Sequence, residues 1–180
     1  MLSNPPMTRK RRLSTSIVSP SGLAPSNILG ALRYAAGGWD GATIECLPSG
    51  EVIVKTGTSP HGQGHETAWA QIVADGLGVT PDDITVLHGD TQTTPLGMDT
   101  YGSRSVSVGG VALHFAMEKI KAKARTIAAH ELEVAEDDLE WGDGSWHVAG
   151  APDKAKTIPE LAVSAWHAHS LPEGTEPHLN

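Results

Sequence analysis

Two short runs in this 180-residue chain carry the residue types that could hold a ligand rich in anionic oxygen. The first is His61-Gly62-Gln63-Gly64-His65-Glu66-Thr67, two glycines around a glutamine, followed by an acid and a hydroxyl and then by a helix-like pattern. The second is Thr100-Tyr101-Gly102-Ser103-Arg104-Ser105, again directly before a helix-like pattern. Backbone N–H groups at a helix start have no partner inside the helix and carry partial positive charge. Phosphates and related oxygens bind there, and glycine lets them come close. Gln63 adds an amide that donates and accepts at once, which suits the edge of a heterocycle. Thr100, Ser103 and Ser105 add hydroxyls, and Arg104 adds a planar fork that matches phosphate. The residues leave a second possibility open at the first run, an ordinary strand-to-helix turn in which Gln63 bonds nearby backbone.

Other chemistries fit less well. His61 and His65 stand four apart, as metal ligands on a helix do, but Gly62 and Gly64 disfavour a helix there and no third ligand stands at a metal-like spacing. No Gly-Lys-Ser/Thr follows the glycines, so a P-loop is excluded by pattern, and the third glycine of a dinucleotide fingerprint is missing. No Gly-x-Ser-x-Gly elbow is present. No metal ligand is therefore assigned, composition leaves a Ser-His-Asp site open, and no residue is singled out as catalytic. Asp90-Thr91 has the form of a simple Asx turn, and His167, His169 and His178 are most simply solvated.

The elements that must position these runs follow from periodicity. Pro25-Ser26-Asn27 could open a short helix through Ile28, Leu29, Leu32 and Tyr34, ended by Gly37-Gly38. Ala42 to Leu47 and Glu51 to Lys55 form a hairpin across Pro48-Ser49-Gly50, with Val52 and Val54 on one face. From Glu66 to Leu77 the pattern is helical, with Trp69, Ile72, Val73 and Leu77 on one stripe and Gly76 and Gly78 as terminators. Thr80-Pro81-Asp82-Asp83 is a cap and turn, and Ile84 to His88 alternates as a strand. Gly89 to Ser103 is a long loop of the kind that is usually functional or disordered. The longest helix is expected over about Val106 to Glu136, carrying Val111, Phe115, Met117, Ile120, Ala124, Ile127, Ala128 and Leu132. Leu139 to Trp141 and Ser145 to Val148 form a second hairpin. Thr157-Ile158-Pro159-Glu160 fits a capping box that opens a short helix through Trp166. An α+β fold results, with two hairpin-derived β elements and helices packed on them.

Composition narrows the function. The net charge of −8 argues against binding nucleic acid, which needs a basic surface. The one basic cluster, Arg9-Lys10-Arg11-Arg12, lies in a stretch with no hydrophobic period. Residues 1–21 are expected to be a disordered or foreign tail, and residues 171–180 an unfinished one without a core pattern. Cys46 is the single cysteine, so an internal disulfide is excluded and a reducing, cytoplasmic location is expected. No apolar run is long enough to span a membrane, and the basic N-terminus lacks the apolar core of a signal peptide.

Taken with their flanks, the two runs resemble a known family. Thr56-Gly57-Thr58-Ser59-Pro60-His61-Gly62-Gln63-Gly64-His65-Glu66-Thr67 is similar to the cofactor loop of the molybdenum hydroxylase large subunits. So is Gly89-Asp90-Thr91 followed by Asp99-Thr100-Tyr101-Gly102-Ser103-Arg104-Ser105. These are the subunits of xanthine dehydrogenase, aldehyde oxidase and aerobic carbon monoxide dehydrogenase, and the bacterial carbon-monoxide-dehydrogenase-like branch is the nearest in pattern. The resemblance runs from about Gly22 to near Glu176 and makes residues 22–170 a partial molybdopterin-binding domain. It implies a molybdopterin cofactor, in the cytosine dinucleotide form. Gly62, Gln63 and Gly64, with His65, Glu66 and Thr67, would lie on the pterin side, and Thr100, Tyr101, Gly102, Ser103, Arg104 and Ser105 on the pterin and its phosphates. The family hydroxylates aldehydes or N-heterocycles, or oxidises CO, with oxygen from water. It passes electrons to an iron–sulfur small subunit and an FAD-binding medium subunit. Its large subunit is several times longer than this chain. The glutamate that serves as general base lies beyond the matched region, so Glu66 is not given that role. The resemblance thus implies an internal fragment, inactive alone, joined by the remainder of the large subunit. A separately encoded non-catalytic subunit of a split enzyme, or an inactive truncated product, are the alternatives.

Overall fold

The computed structural model describes residues 21–24, as backbone only, and residues 39–180. The basic cluster, the tail over residues 1–20 and the helix expected from Pro25 to Tyr34 lie outside the described residues.

The fold is α+β, with two small sheets and three α-helices among the described residues. The first sheet runs in the order β1 (Ser21–Ala24), β2 (Asp40–Cys46), β3 (Val52–Thr56), β4 (Ile84–Leu87). The hairpin β2–β3 stands where the alternation of Ile44, Val52 and Val54 places it, in antiparallel register with Ile44 opposite Val54. β4 pairs parallel to β3, with Val54 opposite Val86. Parallel strands need a crossover. Here it is α1 (His65–Leu77), so the first ligand run sits at the strand-to-helix junction of a βαβ unit.

Helix α1 buries Trp69, Val73 and Leu77 and stops at Gly78, whose φ of 68° is left-handed. Gly76 does not terminate the helix, contrary to expectation. It lies inside α1, where a β-carbon would come within 2.3 Å of Met117 Sδ, so it lets the long helix approach. That long helix is α2 (Val111–Leu132), shorter than expected at both ends. Ser105–Gly110 forms a wider π-turn before it. Glu133, at φ 55°, ends it without glycine, and a 3₁₀ turn at Glu136–Asp138 follows. Leu113, Ala116, Met117, Ile120, Ala124 and Ile127 pack into the core beside Ile44, Val52 and Val54. Phe115 and Val111, expected among the apolar positions of this helix, are instead exposed, at 40% and 37%. The buried stripe follows Ala112, Leu113, Ala116 and Ile120, and Phe115 falls to its side.

The second sheet comprises β5 (Leu139–Gly142), β6 (Ser145–Val148) and β7 (Ala151–Thr157). β7 extends the expected hairpin to three strands. Its sequence, Ala-Pro-Asp-Lys-Ala-Lys-Thr, lacks strand composition, and Pro152 fits because β7 is an edge. Trp146 docks this sheet on α2, its indole N–H donating to the Lys121 carbonyl at 3.1 Å. Lys121 lies over Trp141 and Arg125 over Trp146. Helix α3 (Ile158–His167) opens with the expected capping box, Thr157 and Glu160 each satisfying the other's backbone.

The terminal segment also departs from expectation. Its lack of periodicity does not keep it from the core. Leu179 is fully buried, its carbonyl accepts the Cys46 N–H at 2.8 Å, and His178 N–H donates to Ala165 O. One apolar side chain, placed by two backbone hydrogen bonds, closes the end of the core. Leu179→Ala should therefore destabilise the chain by about 3 kcal/mol, measured as a lowered urea midpoint with an unchanged slope.

Candidate functional site

The two ligand runs are distant in sequence and adjacent in space. Asp99 and Ser59 stand 40 residues apart, yet the Ser59 N–H donates to Asp99 Oδ1 at 2.7 Å. His61 Nε2 lies 3.1 Å from the Thr100 carbonyl oxygen. Both runs end in a helix start, His65 opening α1 and Ser105 opening the π-turn ahead of α2.

Local chemistry shapes the first run. Thr56 and Thr58 share a buried hydroxyl contact of 2.8 Å that turns the chain out of β3. Gly62 and Gly64 hold φ values of 96° and 72°, in the left-handed region that favours glycine. Among the described residues, no atom beyond the adjoining chain lies within 4 Å of where a β-carbon of either would stand, so their faces are open to an approaching group. Gln63 is exposed, and its carbonyl accepts the His61 N–H, while its amide nitrogen has no partner among the described residues. Half of the glutamine braces the loop, as the ordinary-turn alternative has it, and half remains available to donate.

His65 is buried against Trp69, ring centroids 5.2 Å apart. Its Nδ1 and the Trp69 Nε1 are buried without a hydrogen-bond partner. Burial pushes the His65 pKa below 6.5, with smaller opposing and supporting charge effects from Glu66 and His88. Glu66 is exposed and accepts a 2.8 Å contact from His88 Nε2 beyond the end of β4. Its carboxyl is held below the usual range first by its own backbone N–H and then by His88. Thr67 is exposed on the first turn.

The second run is pinned from below. Thr100 Oγ1 and Ser105 Oγ lie 3.2 Å apart, bridging the base of the loop, while Tyr101, Gly102 and Ser103 are exposed at its tip. Asp99, Gly102 and Ser103 all have left-handed φ, between 57° and 58°. Arg104 turns inward. Its Nη1 donates to Asp40 Oδ2 at 2.9 Å and to the Asp99 carbonyl, and its Nη2 donates to the Trp39 carbonyl at 2.7 Å. Asp40 is fully buried, and burial raises its pKa although Arg104 and the Gly41 N–H partly offset the shift. Gly109 and Gly110 admit the Trp69 ring. β-Carbons there would stand 3.6 Å from Cζ2 and 3.7 Å from Cζ3.

Asp90 forms the expected Asx turn, accepting from Gln92 N–H at 2.9 Å and from Thr93 Oγ1. Cys46 is buried and its thiol is pushed up to about 12 by burial, which leaves it inert. His61 and His65, the pair weighed as metal ligands, part company, one exposed on the loop and one buried in the core edge. Sequence reasoning missed Asp40, Trp69 and His88 as parts of this assembly. Trp69 had a signal as a core residue, whereas Asp40 and His88 had none, since their partners lie far along the chain.

Two glycine-opened loops thus stand side by side at two helix starts of an α+β fold. The chain belongs to the molybdopterin cofactor-binding domain family, whose model matches residues 13–179. It is 46% identical over 165 residues to the carbon monoxide dehydrogenase large chain of Afipia carboxidovorans, covering 92% of this chain and 20% of that one. It is 34% identical over 141 residues to the nicotine 6-hydroxylase large subunit of Paenarthrobacter nicotinovorans, covering 78% of this chain and 17% of the relative. Among solved structures, a Cu,Mo-CO dehydrogenase superposes with a TM-score of 0.77 at 43% identity, over 88% of this chain and 21% of that one. Quinoline 2-oxidoreductase from Pseudomonas putida 86 superposes with a TM-score of 0.76 at 33% identity, over 89% of this chain and 22% of that one. The chain thus spans about a fifth of the length of the curated relatives it matches. Among the described residues no helix is long and apolar enough to cross a membrane.

The buried, depressed His65 predicts a pH dependence. The unfolded chain binds a proton near pH 6.5 that the folded chain resists, so this contribution to stability is complete above that pH and declines as pH falls below it. The urea midpoint should drop between about pH 7.5 and about pH 5.5 by more in the wild type than in His65→Phe. Equal drops would remove His65 as a cause. Separately, Gly97→Ala should cost about 2 kcal/mol by overpacking, because its β-carbon would stand 2.2 Å from Asp40 Oδ1. Thermal unfolding checks it.

Proposed function

We propose that the loops over residues 61–67 and 100–105 cradle molybdopterin as one wall of its site in a molybdenum hydroxylase large subunit. The observation that carries this reading is the hydrogen-bonded apposition of two glycine-rich runs at two helix starts, Ser59 to Asp99 and His61 to Thr100. Gly62, Gly64 and Gly102 have left-handed backbones with open space over them, which suits close approach of a bulky ligand to backbone N–H groups. Gln63 offers its free amide to the pterin edge, and Tyr101, Gly102 and Ser103 offer the exposed tip of the second loop to pterin and phosphate oxygens. Thr100 and Ser105 brace that loop, and His65, Glu66 and Thr67 set the first turn of α1. Bound there, the cofactor supplies a redox-active molybdenum. This chain supplies hydrogen-bond donors, orientation and an exclusion surface.

The higher identity to carbon monoxide dehydrogenase favours the CO-oxidising branch over the N-heterocycle hydroxylases, and the family resemblance of the two loops favours a cytosine dinucleotide form of the cofactor. On this reading the chain works in the cytoplasm with the remainder of the large subunit, an iron–sulfur subunit and an FAD subunit, and it contributes no catalytic base. Glu66, already bonded to His88, braces α1 against the end of β4.

Co-expression with the cofactor pathway tests the reading, with molybdenum measured by mass spectrometry and pterin by fluorescence after oxidation. The chain alone should retain little of either and turn over neither CO nor an aldehyde. Paired with the missing parts of a carbon-monoxide-dehydrogenase-type large chain, it should retain both. Gln63→Leu in that assembly should lower pterin retention about tenfold, the worth of one hydrogen bond of about 1.4 kcal/mol, with little change in thermal midpoint. Full turnover by the chain alone would overturn the assignment of the reacting groups elsewhere, and a cofactor-free assembly would overturn the cradle.

A further inference from the structure

We infer that Asp40 and Arg104 are a positioning pair that fixes the two ligand loops against each other before any ligand arrives, and that Arg104 is not itself a phosphate ligand. This rests on the reading of those loops as the cofactor cradle and assigns the charged residue in them whose side chain points inward, the wrong way for that task.

The sequence makes Arg104 look like the strongest anion ligand of the second loop. Its geometry says otherwise. The side chain is 5% exposed and Asp40 is 0% exposed. Both terminal nitrogens are spent, on Asp40 Oδ2, the Asp99 carbonyl and the Trp39 carbonyl. The remaining nitrogen, Nε, is buried without a partner. The guanidinium therefore has no exposed edge with which to clasp a phosphate, and clasping one would require breaking a buried ion pair, a step that strands the Asp40 charge.

What the guanidinium does hold is the path between the two loops. It grips the Asp99 carbonyl, and the carboxylate of the same Asp99 accepts the Ser59 N–H at 2.7 Å. The next carbonyl, Thr100, faces His61 Nε2 at 3.1 Å. Asp99 sits at φ 58°, a left-handed conformation that a non-glycine residue keeps only when its surroundings hold it there. From the other side, Asp40 Oδ1 accepts the Gly41 N–H at 3.0 Å and lies against Gly57 and Gly97. One buried pair thus joins the start of β2, the exit of β3, the middle of the long loop and the base of the second run. Its energetics agree with that role. Burial raises the Asp40 pKa while Arg104 opposes the rise, and buried ion pairs of this kind serve geometry at least as much as stability.

Hydrogen–deuterium exchange on the whole 180-residue chain, without ligand, tests this. The apolar replacement Asp40→Leu with Arg104→Met should keep the fold and the thermal midpoint. Exchange of the Ser59 N–H and of amides over residues 98–103 should become about tenfold faster, the signature of local opening at constant global stability. Arg104→Lys keeps the charge but cannot reach Asp40, Asp99 and Trp39 together, and it should show the same loosening. Wild-type exchange at Ser59 in the double variant, or in Arg104→Lys should the double variant not fold, would overturn the proposal. Unfolding of both would overturn it too, because the pair would then be supporting the core. Pterin content plays no part in this readout, so failure here is separable from failure of the cradle.

Discussion

Gly57 and Gly97 pass each other so closely that a β-carbon on Gly57 would stand 2.7 Å from the Gly97 Cα. Asp40 Oδ1 fills the remaining gap. The arrangement of the site depends on this crossing. The chain leaving β3 must clear the chain returning from β4 before either can reach a helix start, and only two bare backbones fit. Once they have crossed, Ser59 meets Asp99 and His61 meets Thr100 without further adjustment. The cost is a carboxylate sealed in the crossing, and a buried carboxylate demands a counter-charge. Arg104 answers it from the base of the second loop, which brings that loop into register with the first. A packing requirement at two glycines is thereby converted into an electrostatic one, and the electrostatic one sets the geometry of the exposed tips.

The helices divide the remaining work. α1 and α2 meet where Gly76 admits the Met117 thioether, and the π-turn before α2 opens at Gly109 and Gly110 to admit the Trp69 ring. A π-turn widens the helix by one residue per turn. Here that widening seats a large indole against the helix start that carries the second loop. Trp69 also meets the His65 ring at a tilt of 44°, and His65 directly follows Gly64. The two ligand loops are therefore coupled twice, once through the Asp40–Arg104 pair and once through a ring that touches the helix starts of both.

Legibility in the sequence followed the range of the forces involved. The β2–β3 hairpin, α1 and the Thr157–Glu160 capping box were readable because alternation, the apolar stripe and the box are local signals. β1 and β7 were not, since Ser21–Ala24 and Ala151–Thr157 carry no strand composition and exist through pairing with β2 and β6. The end of α2 escaped because Glu133 adopts the left-handed cap that glycine usually signals. Leu179 escaped because a single buried leucine has no period. The same division runs through the site. The types and order of residues 61–67 and 100–105 singled out two candidate loops, and the structure brings them together, but the direction of the Arg104 side chain depends on Asp40, 64 residues away, and no local pattern encodes it.

The surface beside the loops extends the argument from the cradle to what must surround it. Leu96, Tyr101, Val106, Val111 and Phe115 are exposed around the second loop and the start of α2, with Leu96 at 78% and Val106 at 66%. Behind them the core is closed, with Leu113, Ile120 and Ile127 fully buried. A chain that seals its own core while leaving apolar side chains beside its proposed ligand loops has separated two requirements. Folding is met by contacts within the described residues, and shielding of the ligand from water is left to a surface that these side chains could pack against. In a chain that spans about a fifth of its relatives' length, this is the expected division for one wall of a larger site. Backbone donors at two helix starts can orient a ligand from one side, but water is excluded from all sides or not at all. The loops can therefore be ordered by Asp40 and Arg104 within this chain, whereas such donors reach their full strength only in a dry environment, which ordering alone does not create.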